Sequence, residues 1–188
     1  MGFLSLLKER TSSYYGKRAY KYVDKLLREE KNLLIISPYL DDYYAAYLAR
    51  LAHGKRLYII SSSIRGSAAK RLRRREAGSP AVATFIAVSV NWLLLLLNSF
   101  NPLLAFATIS AGFALLAYSL LHRNSIYLKV PKEFVHAKLY VGDKRAVEGS
   151  ANLTYAGMHK NVESVRLITD KREVEELKRR FWTLWNSL

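Results

Sequence analysis

A histidine and a lysine in the second half of the chain could act together on a phosphate group. The segment FVHAKLYVG predicts a strand over 134–142, and His136 and Lys138 are two positions apart, so both side chains leave one face. Val135 and Leu139 occupy the other face. A strand that only buries itself would carry apolar residues on both faces. The pair therefore indicates chemistry, because an imidazole can attack phosphorus or transfer a proton and an ammonium can bind phosphate oxygens.

Neutral hydrogen-bonding groups follow on the next predicted strand. The segment GSAN places Ser150 and Asn152 two positions apart, which adds a hydroxyl and an amide. A cation combined with neutral donors suits the several oxygens of a phosphate. Asp143 lies between the two strands, where its position alone predicts a turn residue.

The composition favours a polyanionic partner without choosing one. Lys and Arg number 30 against 15 acidic residues, which gives a formal net charge of +15 at pH 7. Nucleic acid and an acidic membrane face both fit that charge. The 188 residues suffice for one domain with its own core. Because the chain has no cysteine, disulfides, thiolate zinc sites and a thiol nucleophile are excluded.

The centre of the chain carries no charged side chain. From residue 77 to 121 there is no Asp, Glu, Lys or Arg, and two apolar arms, 81–97 and 103–121, are joined by NSFNP. Each arm is close to the length that a helix needs to cross about 30 Å of hydrocarbon, and Asn and Pro favour a turn between them. We expect a two-helix transmembrane hairpin over 77–122. A buried helical pair in a soluble core is the alternative.

Flanking charge predicts the orientation of such a hairpin. KRLRRR precedes the first arm and HRNSIYLK follows the second, whereas the connection between the arms is uncharged. By the positive-inside rule both flanks lie in the cytoplasm. The sequence thus predicts a multi-pass protein of the cell membrane, with its polar domain and both termini cytoplasmic.

The polar sequence on either side of the hairpin alternates between strand and helix patterns. Residues 1–18 lack a small-residue cleavage site and predict an amphipathic helix, which either packs on the domain or lies on a membrane surface. Apolar runs and alternation predict strands over 32–37, 56–63, 125–130, 134–142, 145–151 and 161–169, and helical spacing predicts helices over 41–55 and 171–188. We expect an α/β fold with a mixed sheet covered by helices.

The complete pattern, H-x-K-x4-D followed by G-S-x-N, resembles the signature of the phospholipase D superfamily. The likeness extends to LLIISPYL, LARLAHGKRLYIIS and AGMHKNVESVRLITD, and covers roughly 18–62 and 126–187. It implies a phospholipase-D-like mixed β-sheet flanked by helices. Residues 1–76 and 123–188 would form one cytoplasmic catalytic domain, and 77–122 would be an inserted hairpin.

The resemblance implies phosphodiester transfer through a covalent phosphohistidine, without a metal or cofactor. A chain with one motif would pair with an identical subunit, so that one His136 attacks phosphorus while the other protonates the leaving oxygen and then activates water. Lys138 would hold the phosphate oxygens, assisted by Ser150 and Asn152. Glu163 matches the family's acidic residue that orients a histidine, and joins His136 and Lys138 as a candidate catalytic residue.

Asp143 matches the aspartate of the family motif, and is thereby a further candidate catalytic residue. Between Asp143 and Gly149, however, the chain has only KRAVE, a shorter connection than the family usually has. The turn is expected to be tighter, which bears on the role of Asp143 and not on that of His136 or Lys138.

Two enzymatic functions and one binding function fit these features. A membrane-tethered nuclease acting on DNA or RNA would use the excess of Lys and Arg along a phosphate backbone. A phospholipase D or phosphatidyltransferase would be held against its phospholipid substrate by the hairpin. The third is a membrane-bound binding module without turnover, against which the intact His-Lys-Ser-Asn set argues. The charge favours nucleic acid.

Overall fold

The computed structural model describes residues 11–18, 20–52, 54–64 and 126–188, together with scattered positions between 67 and 117. The strands are β1 (Thr11–Gly16), β2 (Asn32–Ile36), β3 (Tyr39–Leu40), β4 (Arg56–Ile60), β5 (Ser63–Ile64), β6 (Ile126–Lys129), β7 (Leu139–Val141), β8 (Ala146–Gly149) and β9 (Glu163–Ile168). The helices of stretches 20–52 and 126–188 are α1 (Tyr20–Glu29), α2 (Asp42–Leu51), α3 (Tyr155–His159) and α4 (Lys171–Ser187).

Seven of these strands form one mixed sheet in the order β1-β9-β8-β7-β2-β4-β6, and β3 pairs with β5. Strands β2, β4 and β6 are parallel neighbours. The remaining neighbours, from β1 through β9, β8 and β7 to β2, pair antiparallel. The sheet is therefore mixed, as the sequence predicts.

Side-chain alternation along β2 assigns a group of helices to each face of the sheet. Leu33 and Ile35 belong to one core with α1 and α2, whereas Leu34 and Ile36 belong to a second core with α4. Because successive side chains of a strand point to opposite faces, the two cores lie on opposite sides of the sheet. A strand covered on both faces is apolar on both, which explains the unbroken apolar run in β2. The expected mixed sheet flanked by helices is confirmed.

The expectation for the N-terminal segment is wrong where the structure describes it. Residues 11–16 do not continue an amphipathic helix but form the edge strand β1, antiparallel to β9. Residues 1–10 lie outside the described part of the chain. The segment TSSYYG holds threonine and two tyrosines, which favour strands, and the edge of β9 offers backbone hydrogen bonds that a helix cannot use.

The strand expected over 134–142 is wrong in its first half. Only Leu139–Val141 form β7, and residues 130–138 form a loop. The Val135 N–H donates to Ser62 Oγ at 2.8 Å, so a hydroxyl from the end of β4 takes the place of a strand partner. His136 and Lys138 are therefore presented by the end of a loop rather than by alternation along a strand.

The chain divides into two compact units, one formed by residues 1–73 and 125–188 and the other by 74–124. The hairpin expected over 77–122 lies outside the described residues, apart from scattered positions. All described positions between 85 and 117 are helical. Large apolar side chains among them are exposed, namely Phe85, Val88, Val90, Trp92, Leu93, Leu96 and Phe113. Within the part that the structure describes, no helix combines the length and the apolarity needed to cross a membrane.

Candidate active site

The predicted site residues other than Asp143 gather where four strands meet at one end of the sheet. Leu139 begins β7 and pairs with Ile36, the last residue of β2. At the same end β8 finishes at Gly149 and β9 starts at Glu163. The Gly149 N–H donates to the Lys138 carbonyl oxygen at 3.3 Å, which ties the end of β8 to the loop before β7. The sheet thus brings segments distant in sequence to one place.

Gly149 allows β8 and β9 to approach closely just before the motif serine. A Cβ at Gly149 would lie 2.0 Å from the Ser164 carbonyl oxygen, so a side chain there requires the backbone to shift. The Ser150 N–H donates to that carbonyl at 2.9 Å, and the Ser164 N–H donates to Ser150 Oγ at 3.0 Å. The glycine of the motif therefore sets the position of the serine.

Lys138 and His136 are in direct contact. Lys138 Nζ lies 2.9 Å from His136 Nε2 and 3.4 Å from Nδ1, and it donates to the His136 carbonyl oxygen at 3.0 Å. His136 is exposed and Lys138 is half-buried. Partial burial lowers the pKa of the Lys138 ammonium, while the Glu163 carboxylate acts in the opposite direction. An ammonium only donates, so its contact with the ring requires an unprotonated imidazole nitrogen, the form that can act as a nucleophile.

Glu163 is a buried carboxylate, 8% exposed, that accepts two side-chain hydrogen bonds. The Ser150 hydroxyl donates to Glu163 Oε2, and Asn161 Nδ2 donates to Oε1 at 3.1 Å. Hydrogen bonds to an ionised acceptor are stronger than those between neutral groups. The described contacts of Glu163 do not include His136 of the same chain. The carboxylate instead orients Ser150 and places negative charge near Lys138.

Asn152 keeps an unused acceptor at the site. Its Oδ1 is buried and has no hydrogen-bond partner among the described residues. The hydroxyl of Tyr140 donates to the Ala151 carbonyl oxygen at 2.8 Å, which fixes the backbone between Ser150 and Asn152. Burial raises the pKa of Tyr140, so this hydroxyl remains a donor at neutral pH. Buried polar groups are nearly always paired, so this unpaired oxygen is an exception among the described residues.

Asp143 lies at the other end of β7, and the structure does not bring it to the other predicted residues. Its carboxylate accepts the backbone N–H groups of Lys31 and Asn32 at 3.2 and 3.1 Å, and Asn32 Nδ2 at 2.8 Å. Asn32 begins β2 and Ile36 ends it, a strand length of about 13 Å. Burial alone would raise the pKa of Asp143, but these hydrogen bonds bring the pKa below its usual value. In this chain Asp143 fastens the β7–β8 turn to β2.

Three residues around the site were not among those that the sequence singled out. Asn161 binds Glu163, and its two-residue spacing from that glutamate is the one sequence feature that indicates a shared face. Ser62 holds the loop before His136 although 73 positions separate it from Val135, so no local pattern connects them. The ring of Phe134 lies 6.0 Å from the imidazole of His136, centroid to centroid.

The fold and this cluster define a protein of the phospholipase-D-like type. Residues 22–185 match the family model described as "Cardiolipin synthase, PLD-like domain", and the chain belongs to this family. The match supports an enzyme of the phosphodiesterase type. No curated protein matches the chain.

Solved structures share the fold at low sequence identity. Nuc, a phospholipase D family member from Salmonella typhimurium, has a TM-score of 0.53 and 18% identity, over 94% of this chain and 95% of that one. NucT from Helicobacter pylori has a TM-score of 0.50 and 13% identity, over 94% and 96%. Phosphatidylserine synthase from Haemophilus influenzae has a TM-score of 0.51 and 15% identity, over 92% of this chain and 37% of that one. At such identities the likeness concerns the fold alone.

Proposed function

We propose that this chain is a membrane-anchored phosphodiesterase that cleaves nucleic acid through a phosphohistidine intermediate in a homodimeric site. The observation that carries the proposal is the 2.9 Å contact between Lys138 Nζ and His136 Nε2, beside the Ser150–Glu163 hydrogen bond. A neutral imidazole next to a cation is the combination that nucleophilic attack on a phosphodiester needs.

The reaction has two balanced steps. A ring nitrogen of His136 bonds to phosphorus, the bond from phosphorus to the leaving oxygen breaks, and the partner subunit's His136 donates its proton to that oxygen. Water then attacks phosphorus, loses a proton to the partner's His136, and the bond between phosphorus and nitrogen breaks. Both imidazoles return to their starting states, one neutral and one protonated.

Lys138 exchanges partners when substrate arrives. Before binding, its ammonium donates to the imidazole and to the His136 backbone. The anionic oxygens of a phosphate are stronger acceptors than a neutral ring nitrogen, so the ammonium moves to them and frees the nucleophile. The Glu163 carboxylate raises the pKa of Lys138 against the effect of burial, and so favours the charged form that binding requires.

A second subunit follows from the number of histidines that these steps need. The mechanism uses two imidazoles at one phosphorus, and the chain has one H-x-K-x4-D motif. Among the described residues the other histidine is His159, whose Nε2 contacts the Tyr44 hydroxyl at 3.0 Å. A two-fold pair of chains supplies the second imidazole from an identical motif.

The uncharged segment supports a membrane anchor. Residues 77–121 lack any charged side chain, and basic residues flank both ends. Helical positions within it expose large rings, among them Phe85 and Trp92 at 73% and 65%. Hydrocarbon would cover such side chains, and the flanking charge would keep the catalytic domain and both termini in the cytoplasm.

Nucleic acid is the favoured substrate because of the net charge of +15, which suits a long polyanion. Phospholipid cleavage or phosphatidyl transfer is a second candidate. It is supported by the family description, "Cardiolipin synthase, PLD-like domain", and by an anchor that would hold the site at the bilayer.

A substrate panel tests the proposal. The full chain, purified in detergent with EDTA, is offered single-stranded DNA, RNA, duplex DNA, and vesicles of labelled phosphatidylcholine or cardiolipin. His136→Ala is the matched variant, because His136 is exposed and its loss leaves the core intact. We expect cleavage of nucleic acid by the wild type and none by His136→Ala. If the protein cleaves only lipid, phospholipid and not nucleic acid is its substrate. If it cleaves none of these substrates, a binding module without turnover is favoured.

A further inference from the structure

We propose that Phe134 stacks on the nucleobase beside the cleaved bond and thereby selects nucleosidic phosphodiesters over other esters. The inference rests on the proposed nuclease function and adds a specificity-determining residue to it. Nothing in the H-x-K or G-S-x-N pattern includes this position.

Phe134 presents an apolar ring to solvent directly beside the nucleophile. The side chain is 56% exposed. Its ring centroid lies 6.0 Å from that of His136 with an interplanar angle of 28°, and 5.8 Å from that of Tyr39 with an angle of 55°. These separations lie within the range of interacting aromatic pairs. A substrate whose phosphorus reaches His136 therefore passes an aromatic wall formed by Phe134 and Tyr39.

The wall is held in place before substrate binds. The Val135 N–H donates to Ser62 Oγ at 2.8 Å, and the Ser62 hydroxyl lies 3.3 Å from the Val135 carbonyl oxygen. Tyr39 belongs to β3, where it pairs with Ser63 of β5. The backbones beside both rings are thus held by Ser62 and Ser63, the segment that follows β4. A ring that is already ordered loses little conformational entropy when a planar ligand stacks on it.

The surroundings favour a nucleobase over a lipid chain as the occupant. Lys132 and Glu133 precede Phe134 in the loop, and both are exposed. Insertion of Phe134 into a bilayer would carry the adjacent Lys132 and Glu133 side chains towards hydrocarbon and remove water from both charges, whereas stacking on a base leaves them in water. A single strand of nucleic acid instead offers a base to the ring and a phosphate to Lys132. Stacking of bases on aromatic side chains is tolerant of sequence, because every base has a flat face.

The test uses two single-stranded oligodeoxynucleotides that contain one ordinary phosphodiester among phosphorothioate linkages. One has bases on both sides of that bond, and the other is abasic on both sides. We expect the wild type to cleave the base-bearing form with a kcat/KM about ten-fold higher. Phe134→Ala and Phe134→Leu should lose this preference by an increase in KM, whereas Phe134→Trp should keep it. Cleavage of the abasic form should stay within about two-fold in all variants.

Tyr15→Ala is the matched control, since Tyr15 is an aromatic residue 81% exposed on the edge strand β1, and it should retain the preference. The inference is overturned if Phe134→Ala keeps the full preference, or if it slows both oligonucleotides equally. A wild type that cleaves neither oligonucleotide contradicts the proposed function, and the inference with it. Loss of phosphatidylcholine vesicle binding in Phe134→Ala, without any effect on oligonucleotides, would assign the ring to lipid and also overturn it.

Discussion

The hydroxyl of Ser150 donates a hydrogen bond to the carboxylate of Glu163, although 13 positions separate the two residues. The bond joins the end of β8 to the start of β9, next to the loop that carries His136 and Lys138. It holds a negative charge close to Lys138, whose pKa is lowered by burial, and this charge opposes that effect. The bond therefore joins a serine of the motif to the glutamate whose charge acts on Lys138.

Lys138→Ala should lower kcat/KM by about a thousand-fold, because the ammonium that stabilises charge on the phosphate oxygens is lost. Lys138→Arg should recover part of this loss, since a guanidinium keeps the charge but differs in shape. Steady-state kinetics on single-stranded DNA measures both. Lys171→Ala, which removes an exposed cation at the start of α4, is the control and should change kcat/KM less than about three-fold. Equal losses in the two alanine variants would mean that only general charge matters.

Glu163→Gln should lower kcat/KM about ten- to a hundred-fold, because the amide cannot orient Ser150 or support the charge of Lys138 as the carboxylate does. Glu148→Gln is the matched control. Glu148 lies on the neighbouring strand β8 and forms an ion pair with Arg166 at 2.7 Å. Kinetics together with a thermal melt separate an effect on catalysis from one on folding. A Glu163→Gln variant as active as the wild type would remove Glu163 from the site.

Asp143→Asn should affect stability in a pH-dependent manner and leave activity nearly unchanged. The folded state lowers the pKa of Asp143 through hydrogen bonds from Lys31 and Asn32 that outweigh the effect of burial. Its stabilising contribution is therefore present above the unfolded pKa of about 3.9 and is lost as the pH falls through the lower folded value.

The difference in melting temperature between the wild type and Asp143→Asn should accordingly be largest near neutral pH and shrink as the pH falls below about 4. Circular dichroism in detergent measures it. Glu133→Gln, which removes an exposed carboxylate, controls for the loss of one negative charge. A large loss of kcat in Asp143→Asn would show that Asp143 takes part in the reaction from the far end of β7.

Single cysteines test the membrane hairpin, because the natural chain has none. Ser99→Cys lies in the connection between the apolar arms, and Ser187→Cys lies in the exposed last turn of α4. In right-side-out vesicles an impermeant maleimide should label Ser99→Cys at once and Ser187→Cys only after detergent is added. Protein that leaves the membrane in alkaline carbonate, or labelling of both cysteines only in detergent, would favour a buried helical pair.

The parts of the fold that follow from local pattern were predictable from the sequence, and those that depend on distant contacts were not. The apolar run of β2 and the amphipathic repeat of α4 indicate directly which of their side chains are buried. Both elements were therefore expected close to their observed bounds. The edge strand β1 depends on backbone hydrogen bonds to β9, which lies far away in the sequence. The tyrosines of β1 do not by themselves distinguish a strand from other structures.

The same distinction holds within the site. His136, Lys138 and Ser150 were identified by residue type and spacing, and Glu163 by the family resemblance. The structure brings all four to one end of the sheet. Residues 134–138 were expected to belong to a strand but lie in a loop, because the loop is held by the Ser62 hydroxyl, which lies 73 positions from Val135. The motif likewise did not reveal that Asp143 turns away to bind the start of β2.

The most direct test of the shared, histidine-based site is to trap its covalent intermediate. Wild-type protein is mixed with a single-stranded oligodeoxynucleotide, quenched within milliseconds in alkaline urea, and digested for mass spectrometry. We predict a nucleotide attached to His136, in at most one of the two subunits of each dimer. Turnover accompanied by an adduct on another residue, or by no adduct at any quench time, would contradict the phosphohistidine mechanism.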